Sequence, residues 1–404
     1  MSYNFDKIHH RGNTNSIKWD YINKDGVYQK REVGADPLAP DELIPMGLAD
    51  MDFSMPPSVI DALGKRIKHG IMGYTRPPES YYAAIINWIE HRTSWGIQRD
   101  WILTTSGVMP TINLLIQKLT KPGDQVIIQT PVFYPFYHAV EFNDRVLLRN
   151  QLLYKEGHYS IDFDDLARKA ADPRAKMIIL SNPHNPVGRV WSKEELLRIG
   201  EICHENDLFI ISDELHSDLT YSWAKFTSFG IVDKKFTDRL IICTGPSKAF
   251  NMPGLKTSLA IIPNQILREE LTTALRNLNE LFGVNTLGIL ALQKAYEEGE
   301  EWLTQLTLYL EGNYHYLQNY LGQHLPQLKV VRPEALYLIW IDCSALGLDV
   351  VVLKELLIDE AKVYVEAGSF YGAEGEGFIR INIGCPRAIL ETALERIRFA
   401  IQTA

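Results

Sequence analysis

A lysine follows a buried-type apolar run, at a position where its amine could act as a base or a nucleophile. Lys248 lies in "CTGPSKAFNMPGLKTS" (243–258), directly after "RLIIC", and a second lysine, Lys256, stands eight residues further on. Most lysines point into water, because they are seldom fully buried without a partner. A lysine in a partly enclosed site can instead form a Schiff base with a carbonyl compound. The position of Lys248 in the sequence is compatible both with a solvent-exposed lysine and with one that forms a Schiff base.

Other short apolar runs are also followed by loops that carry aromatic or polar residues. The runs and the residues after them are "QVIIQT" (125–130) with Phe133, "KMIIL" (176–180) with Asn185, and "LFIIS" (208–212) with Asp213 and His216. Each residue alone is equally typical of a turn, a helix cap or a structural histidine. Ligands of parallel sheets bind beyond the carboxyl ends of the strands. The four loops together therefore predict a binding site at one edge of a sheet.

A glycine-containing turn precedes an amphipathic helix in "TTSGVMPTINLLIQKL". Ser106, Gly107 and Val108 stand where the helix would begin. Free N–H groups and the positive end of the helix dipole bind anions such as phosphate at this position. An ordinary loop is an equally good interpretation of this segment alone.

One cofactor requires this whole set of groups. Pyridoxal 5′-phosphate needs a Schiff-base lysine and an acidic partner for its pyridine nitrogen. It also needs a donor near its phenolic oxygen, a surface against its ring and a phosphate site. Lys248, Asp213, Asn185, Phe133 and the turn at 106–108 supply these groups in that order. We therefore predict pyridoxal 5′-phosphate as the cofactor.

Composition excludes several other classes of protein. The 404 residues are 46% hydrophobic and 23% charged with a net charge of −9, which is typical of a globular protein and unfavourable for nucleic acid or anionic membranes. The start "MSYNFDKIHHRG" has no apolar stretch, and the four cysteines are scattered, so we expect a reducing, cytoplasmic location. No zinc-type spacing appears, and we expect no metal site.

Alternation of strand-like and helix-like segments predicts an α/β fold. A large domain over 52–285 is expected to hold a mostly parallel sheet covered by helices, including "SLAII" (258–262) as a strand. A capping box at Ser192 and Glu195 predicts the start of one helix. The N-terminal segment 1–51 and the region 286–404 are expected to form a smaller α+β domain. That region includes a linking helical stretch from about Leu290 to Tyr320 and strands within 336–342 and 377–384.

The motifs around these residues resemble a known family. "NPHNPVG", "SDELH" and "SKAFNMPGLK" occur in this order and look like fold-type I pyridoxal-phosphate enzymes of the class I/II aminotransferase superfamily. Further segments resemble the MalY/PatB subfamily of cystathionine β-lyases, or C–S lyases, over nearly the whole chain. They are "NTNSIKWDY" (13–21), "LADMDF" (48–53), "HGIMGYT" (69–75), "PHNPVGRVW" (183–191) and "GEGFIRINIGCPR" (375–387).

The resemblance implies a role for each candidate residue. Lys248 would carry the cofactor, Asp213 would pair with its pyridine nitrogen, and Asn185 and His216 would lie near its phenolic oxygen. Phe133 would stack on the ring. The residues implied at the phosphate are Gly107, Val108, Ser247 and Lys256, with Tyr74 from the partner subunit of a homodimer that shares its active sites. Arg380 would bind the carboxylate of an amino-acid substrate, with the backbone of Ala49 nearby.

The resemblance implies a β-lyase that cleaves cystathionine or related S-substituted cysteines to a thiol, pyruvate and ammonia. An aminotransferase would use the same residues and stays an alternative. A transcription-regulatory binding protein that keeps the cofactor is a third possibility. The chain departs from many relatives at Phe133, where tyrosine is frequent, and at Ala249, where threonine is common. It also has Ala335-Leu336 where Gly-Thr is frequent, which affects the expected substrate pocket.

Overall fold

The structure of the chain is a computed structural model that describes residues 2–24, 27–279 and 285–403. It divides into two compact units. The small unit comprises Met1–Phe53, Gln305–Pro333 and Tyr337–Ala404, and the large unit comprises Ser54–Thr304 and Glu334–Leu336. The domain limits expected above stay predictions, and residues 280–284 of the expected large domain lie outside the described residues.

The α-helices of the described residues are distributed over the whole chain. They are α1 (Ile17–Asp20), α2 (Pro57–His69), α3 (Glu79–Thr93), α4 (Val108–Leu119), α5 (Pro135–Glu141), α6 (Phe163–Ala170), α7 (Lys193–Glu205), α8 (Gln265–Asn279), α9 (Thr286–Glu298), α10 (Glu300–His324), α11 (Val350–Glu355) and α12 (Arg387–Thr403). The predicted capping box is confirmed, since the Glu195 N–H donates to Ser192 Oγ (3.2 Å) and the Ser192 N–H to Glu195 Oε2 (2.8 Å). None of the described helices has the length and apolar character needed to cross a membrane.

The β-strands lie between these helices. They are β1 (Tyr21–Lys24), β2 (Val27–Lys30), β3 (Ile44–Pro45), β4 (Ile102–Thr105), β5 (Gln125–Thr130), β6 (Val146–Gln151), β7 (Leu153–Lys155), β8 (His158–Ser160), β9 (Ala175–Ser181), β10 (Phe209–Asp213), β11 (Leu240–Thr244), β12 (Ser258–Ile261), β13 (Lys329–Val330), β14 (Leu338–Asp342), β15 (Val363–Tyr364), β16 (Glu366–Ala367) and β17 (Phe378–Asn382).

The large unit is built on a seven-stranded sheet, as far as the chain is described, with the order β4-β12-β11-β10-β9-β5-β6. Strands β11, β10, β9, β5 and β6 run parallel. Strand β12 is antiparallel to both of its neighbours, β11 and β4. The expected α/β fold with a mostly parallel sheet is confirmed, and each apolar run predicted as a strand forms one.

Helix α4 packs on this sheet through one apolar stripe. Val108, Ile112, Leu115 and Ile116 recur at helical spacing and are buried in a core shared with β5, β9, β10 and β11. Each such fully buried side chain stabilises the fold by about 1.5–3 kcal/mol. The helix is thereby held on the sheet, and its first residues lie directly after Gly107.

The helical stretch expected from Leu290 to Tyr320 is present and consists of two consecutive helices. Helices α9 and α10 meet at Gly299. A Cβ atom at Gly299 would lie 2.4 Å from the Ala295 carbonyl oxygen and 2.5 Å from the Phe250 ring. A larger residue would collide with these neighbours, so the position between α9 and α10 requires a glycine.

The small unit contains an antiparallel sheet with the order β13-β14-β17-β16 in the part of the chain described here. Residue Arg380 lies in the central strand β17 and pairs across the sheet with Trp340 on one side and Glu366 on the other. A parallel pair, β3 with β15, precedes the segment 46–52. This sheet positions the residues expected to bind a carboxylate.

Candidate active site

The carboxyl ends of β9, β10 and β11 bring three of the candidate loops together. Asp213 at the end of β10 pairs with Ser181 on β9 and with Cys243 on β11. The loops that carry Asn185 and Lys248 begin immediately beyond these residues. Because the strands are parallel and in register, both loops leave the same edge of the sheet on either side of Asp213.

The Asp213 carboxyl group is in an unusual electrostatic environment. Its Oδ1 accepts a hydrogen bond from the Leu215 N–H (3.1 Å). The side chain is only partly exposed, and burial raises its pKa to about 7, against the opposing effect of the Lys248 ammonium. The carboxylate is thus poorly solvated and close enough to Lys248 to interact with its charge. A carboxylate in this environment is stabilised when a further cation binds next to it.

Lys248 lies in a tight turn whose backbone is fixed by its own hydrogen bonds. The Phe250 N–H donates to the Pro246 carbonyl (2.9 Å), and the Met252 N–H donates to the Ser247 carbonyl (3.0 Å). Ser247 and Lys248 are half-buried, whereas Phe250 is fully buried and anchors the turn. The lysine is therefore presented from a rigid loop and reaches a partly enclosed space.

The antiparallel strand β12 accounts for the position of Lys256. Ser258 at its start pairs with Thr105 at the end of β4. The loops of Lys256 and Gly107 therefore lie at the same edge of the sheet, each two residues from this pair. Helix α4 begins at Val108, and its first N–H groups receive no side-chain cap from Gly107. A cationic side chain and a helix N-terminus at one edge suit a phosphate group.

Two glycines allow the close approach of these loops. Gly245 has a φ of +158°, and a Cβ atom there would lie 3.1 Å from the Ser258 Cα. On the other side of the Lys256 loop, a Cβ at Gly288 would lie 1.8 Å from Thr257 Oγ1. Larger residues would push the Lys256 loop away from the Lys248 turn or from α9.

The Phe133 and Asn185 loops are joined to each other. The Phe133 N–H donates to the Asn185 carbonyl (3.0 Å), and the Asn185 N–H donates to Ser181 Oγ (3.2 Å). His184 Nε2 lies 2.9 Å from the Pro131 carbonyl oxygen and links the same two loops. Burial lowers the pKa of His184 to about 4, so this ring is neutral and donates through Nε2. These hydrogen bonds fix the loops that carry Phe133 and Asn185 relative to each other.

His216 and Tyr74 differ in their surroundings. His216 is buried in the turn that follows β10, and its carbonyl accepts from the Leu219 N–H (3.0 Å). Tyr74 lies between α2 and α3 with 86% of its surface exposed. Tyr74 and Lys256 are thus exposed, whereas the other candidates around the ring and the amine are buried or half-buried, namely Phe133, Asn185, Asp213, His216, Ser247 and Lys248.

The residues of this edge fit pyridoxal 5′-phosphate. The poorly solvated Asp213 carboxylate matches a protonated pyridine nitrogen, and the uncapped start of α4 with Lys256 matches a phosphate dianion. Lys248 supplies the primary amine, and Phe133 an apolar surface. Among the described residues, no cluster of histidine, cysteine, aspartate and glutamate side chains is arranged to hold a metal ion.

The small unit holds Arg380 and Ala49. Arg380 is buried, its Nη2 donates to the Gly47 carbonyl (2.9 Å), and its guanidinium carbon lies 4.8 Å from the centre of the Tyr371 ring. Burial raises the pKa of the neighbouring Glu366, while the Arg380 charge opposes this rise. The arginine is thus held in a fixed orientation by its neighbours.

Six consecutive backbone carbonyls of this unit, those of residues 46–51, each accept a hydrogen bond. The donors are Asn382 N–H (to Met46), Arg380 (Gly47), Asn382 Nδ2 (Leu48 and Asp50), Tyr337 Oη (Ala49), Lys18 Nζ (Asp50) and Arg11 (Met51). Since the carbonyl of Ala49 accepts from Tyr337 and a carboxylate needs donors, the backbone group of Ala49 that suits a substrate is its N–H.

Two residues of this network, Asn382 and Tyr337, were not identified from the sequence as site residues. Asn382 lies two residues after Arg380 in "GFIRINIG", so the alternation of a strand places both side chains on one face. That periodicity was a usable signal. Tyr337 carries no such signal, because its bond to Ala49 joins positions 288 residues apart.

Known proteins are similar to this chain over its full length. The family model "Aminotransferase class I and II" matches residues 41–397. Cystathionine beta-lyase PatB of Bacillus subtilis is 41% identical over 98% of this chain and 100% of its own length, and Protein MalY of Escherichia coli is 31% identical over 99% of both chains. The crystal structure of cystalysin from Treponema denticola, which contains pyridoxal 5′-phosphate, superposes with a TM-score of 0.92 at 36% identity and covers 100% of both chains. The chain belongs to the aminotransferase class I and II family, and within it to the MalY/PatB-type subfamily.

Proposed function

We propose that the protein is a pyridoxal-phosphate-dependent carbon–sulfur β-lyase that acts on cystathionine or related S-substituted L-cysteines. The observation that carries this proposal is the poorly solvated Asp213 carboxyl group next to Lys248 at the edge of the parallel sheet. The full-length similarity to a protein named cystathionine beta-lyase supports the choice of reaction.

The large unit is proposed to hold the cofactor. Asp213 binds the pyridinium nitrogen, and Asn185 and His216 lie at the phenolic oxygen. Phe133 covers one face of the ring. The proposed phosphate ligands are the N–H groups of Gly107 and Val108, the Ser247 hydroxyl and the Lys256 ammonium. The cofactor supplies an electron sink that acidifies the substrate Cα–H and allows a Cβ substituent to depart with its bonding electrons.

The side chains of this protein perform the remaining tasks. Arg380 binds the substrate carboxylate as a planar donor pair, assisted by the Ala49 N–H. Lys248 Nζ, once free, takes the Cα proton as a general base. Asp213 keeps the pyridine nitrogen protonated. The thiolate then leaves Cβ, and hydrolysis of the remaining enamine yields pyruvate and ammonia, so cystathionine and water give homocysteine, pyruvate and ammonia.

An aminotransferase reaction uses the same residues up to removal of the Cα proton. The two reactions differ in the next event, which is proton return to the cofactor in one case and departure of the Cβ substituent in the other. A substrate with a good leaving group at Cβ therefore separates them. The relatives named cystathionine beta-lyase favour the second outcome.

We further propose a homodimer with shared active sites. The surface around the end of α2 exposes large apolar side chains that soluble monomers seldom cluster, namely Ile60, Ile67, Ile71, Met72 and Tyr74. A second copy of the chain would cover these residues and bring Tyr74 to the partner's phosphate site. A reducing, cytoplasmic location is consistent with the four free, buried cysteines.

The first test identifies the lysine that carries the cofactor. Reduction of the yellow holoenzyme with borohydride should attach the cofactor to Lys248, because Lys248 and not Lys256 lies next to Asp213. Peptide mapping by mass spectrometry locates the adduct, and Lys256→Ala, which keeps Lys248, serves as the control. An adduct on Lys256 would show that the two roles are exchanged.

The second test concerns Asp213. In the cofactor-free protein the folded-state pKa of about 7 lies above the usual 3.8, so the protonated carboxyl stabilises the fold at low pH and this contribution is lost between about pH 4 and pH 7. The variant Asp213→Asn keeps a side-chain oxygen that can accept from the Leu215 N–H, and it removes the ionisable carboxyl group. The cofactor-free variant should therefore gain on the order of 4 kcal/mol over the wild type between these pH values, measured by urea unfolding.

The same variant should bind the cofactor more weakly, because the pyridinium loses its counter-ion. Asp207→Asn, at an exposed carboxylate, is the matched control and should change neither quantity. If Asp213→Asn destabilises the cofactor-free protein equally at all pH values, the proposed electrostatic environment of Asp213 is wrong.

The third test concerns the reaction. Cystathionine supplied without a keto acid should yield pyruvate and a free thiol, whereas L-alanine should yield no pyruvate. Arg380→Met should lower kcat/KM by about 2–5 kcal/mol, or roughly 30- to several-thousand-fold, because a buried charge loses its partner. Lys248→Ala should abolish turnover. Conversion of the cofactor to its amine form by cystathionine, with no thiol released, would contradict the lyase.

The fourth test concerns the shared site. Lys248→Ala and Tyr74→Phe variants, each expected to be impaired, should regain activity when mixed under subunit-exchange conditions, because hybrid dimers contain one intact site. Sedimentation measurements establish the oligomeric state of each sample. A fully active monomer at working concentration would refute the homodimer.

A further inference from the structure

Two cationic side chains of the N-terminal segment donate hydrogen bonds to the backbone carbonyls of residues 46–51. Lys18 Nζ donates to the Asp50 carbonyl (3.0 Å), and Arg11 Nη1 donates to the Met51 carbonyl (3.1 Å). These carbonyls directly follow Ala49, whose backbone is part of the proposed carboxylate site. The first twenty residues therefore contact the backbone of a site formed by residues from distant parts of the sequence.

Asp52 holds both cations in place. Its Oδ2 accepts from Lys18 Nζ (2.8 Å), and its Oδ1 accepts from Arg11 Nη1 (2.7 Å) and Trp19 Nε1 (2.8 Å). The Lys18 and Asp52 side chains are 1% and 3% exposed. Burial acts to raise the pKa of Asp52, but Lys18 and Arg11 outweigh it and hold the pKa below its usual value. The Asp52 carboxylate is thus the buried centre of a hydrogen-bonded network with Lys18, Arg11 and Trp19.

Lys18 itself is presented from a rigid turn. The Asp20 carboxylate accepts from the backbone N–H groups of Asn13, Thr14 and Ser16 at 2.7–3.0 Å. The Ser16 side chain caps the short helix α1 by accepting from the Trp19 N–H. The ammonium of Lys18 has little freedom to move, and the Asp50 peptide to which it is bonded is restrained with it.

Stability alone does not explain this arrangement well. A buried ion pair stabilises a fold little more than a well-packed apolar pair of the same volume, because both charges lose their hydration. The Lys18 ammonium instead donates to both the Asp52 carboxylate and the Asp50 backbone carbonyl. That geometry restrains the Asp50–Met51 peptide, which lies one residue after Ala49, and an apolar pair could not do so.

We propose that Lys18, supported by Asp52 and Arg11, is a positioning residue: it restrains the backbone at Asp50 and Met51 and thereby orients the adjacent Ala49 for binding the substrate carboxylate. This proposal rests on the proposed function, because it concerns the same carboxylate site. It predicts that loss of Lys18 weakens the binding of carboxylate-bearing ligands selectively. The amine-binding part of the active site, in the large unit, should be unaffected.

The experiment compares two ligands that differ only in the carboxylate, L-alanine and ethylamine. Their dissociation constants for the holoenzyme are measured from the cofactor's absorption spectrum, and S-methyl-L-cysteine provides KM and kcat. Lys18→Met should raise the dissociation constant of L-alanine and the KM on the order of 10- to 100-fold, as expected for a small displacement of a binding group. The dissociation constant of ethylamine and kcat should stay within about threefold.

A second variant separates positioning from folding. Lys18→Met leaves Asp52 short of a partner. Lys18→Met/Asp52→Asn rebalances the charge, while the Asp50 carbonyl still lacks the Lys18 donor and keeps only that of Asn382. The double variant should recover thermal stability and keep the selective loss of L-alanine binding. Recovery of L-alanine binding together with stability would overturn the proposal.

Matched controls complete the design. Arg396→Met removes a cation that donates to the carbonyls of Leu38, Ala39 and Glu42 in the same unit, and it should lower stability without changing the preference for L-alanine. Arg380→Met should abolish that preference. If the wild type shows no preference for L-alanine over ethylamine, the carboxylate site itself is wrong. If Arg380→Met removes the preference for L-alanine and Lys18→Met does not, the carboxylate site stands and only the role proposed for Lys18 is refuted.

Discussion

The partly enclosed carboxyl group of Asp213 is the constraint on which the active site depends. A carboxylate removed from water needs a compensating cation, and the cation that this chain supplies nearby, Lys248, leaves the pKa of Asp213 at about 7. The chain alone therefore does not fully stabilise the charge. In the proposed site a cationic pyridinium does so, and the energy of that interaction would contribute to cofactor binding and keep the ring protonated. The surrounding loops are built around this one group.

Sheet topology explains how loops far apart in sequence reach Asp213. Parallel strands β9 and β11 flank β10 in register, which places the Asn185 and Lys248 loops on either side. The reversed strand β12 then returns the chain, so that the Lys256 loop and the turn at Gly107 reach the same edge. One antiparallel strand in a parallel sheet thus brings the residues proposed to bind phosphate to the sheet edge that carries Lys248.

Local patterns made much of this predictable from the sequence. Short isoleucine-rich runs identified the central strands, and Ser192 with Glu195 marked a helix start, because these features depend on neighbouring residues. The reversal of β12, the break at Gly299 and the bond from Tyr337 to Ala49 were not predictable. Each depends on a contact between distant segments, such as the Phe250 ring against Gly299, for which the local sequence carries no signal.

Two aspartates of this chain, the buried Asp52 and the partly exposed Asp213, show how a protein separates a structural carboxylate from a ligand site. Asp52 receives Lys18, Arg11 and Trp19, and its pKa is held below the usual value, so the chain itself satisfies the charge. Asp213 receives one backbone N–H and the influence of Lys248, and its pKa is raised. A satisfied carboxylate restrains the backbone around it, whereas an unsatisfied one attracts a cationic ligand. The balance of nearby donors therefore distinguishes the two roles.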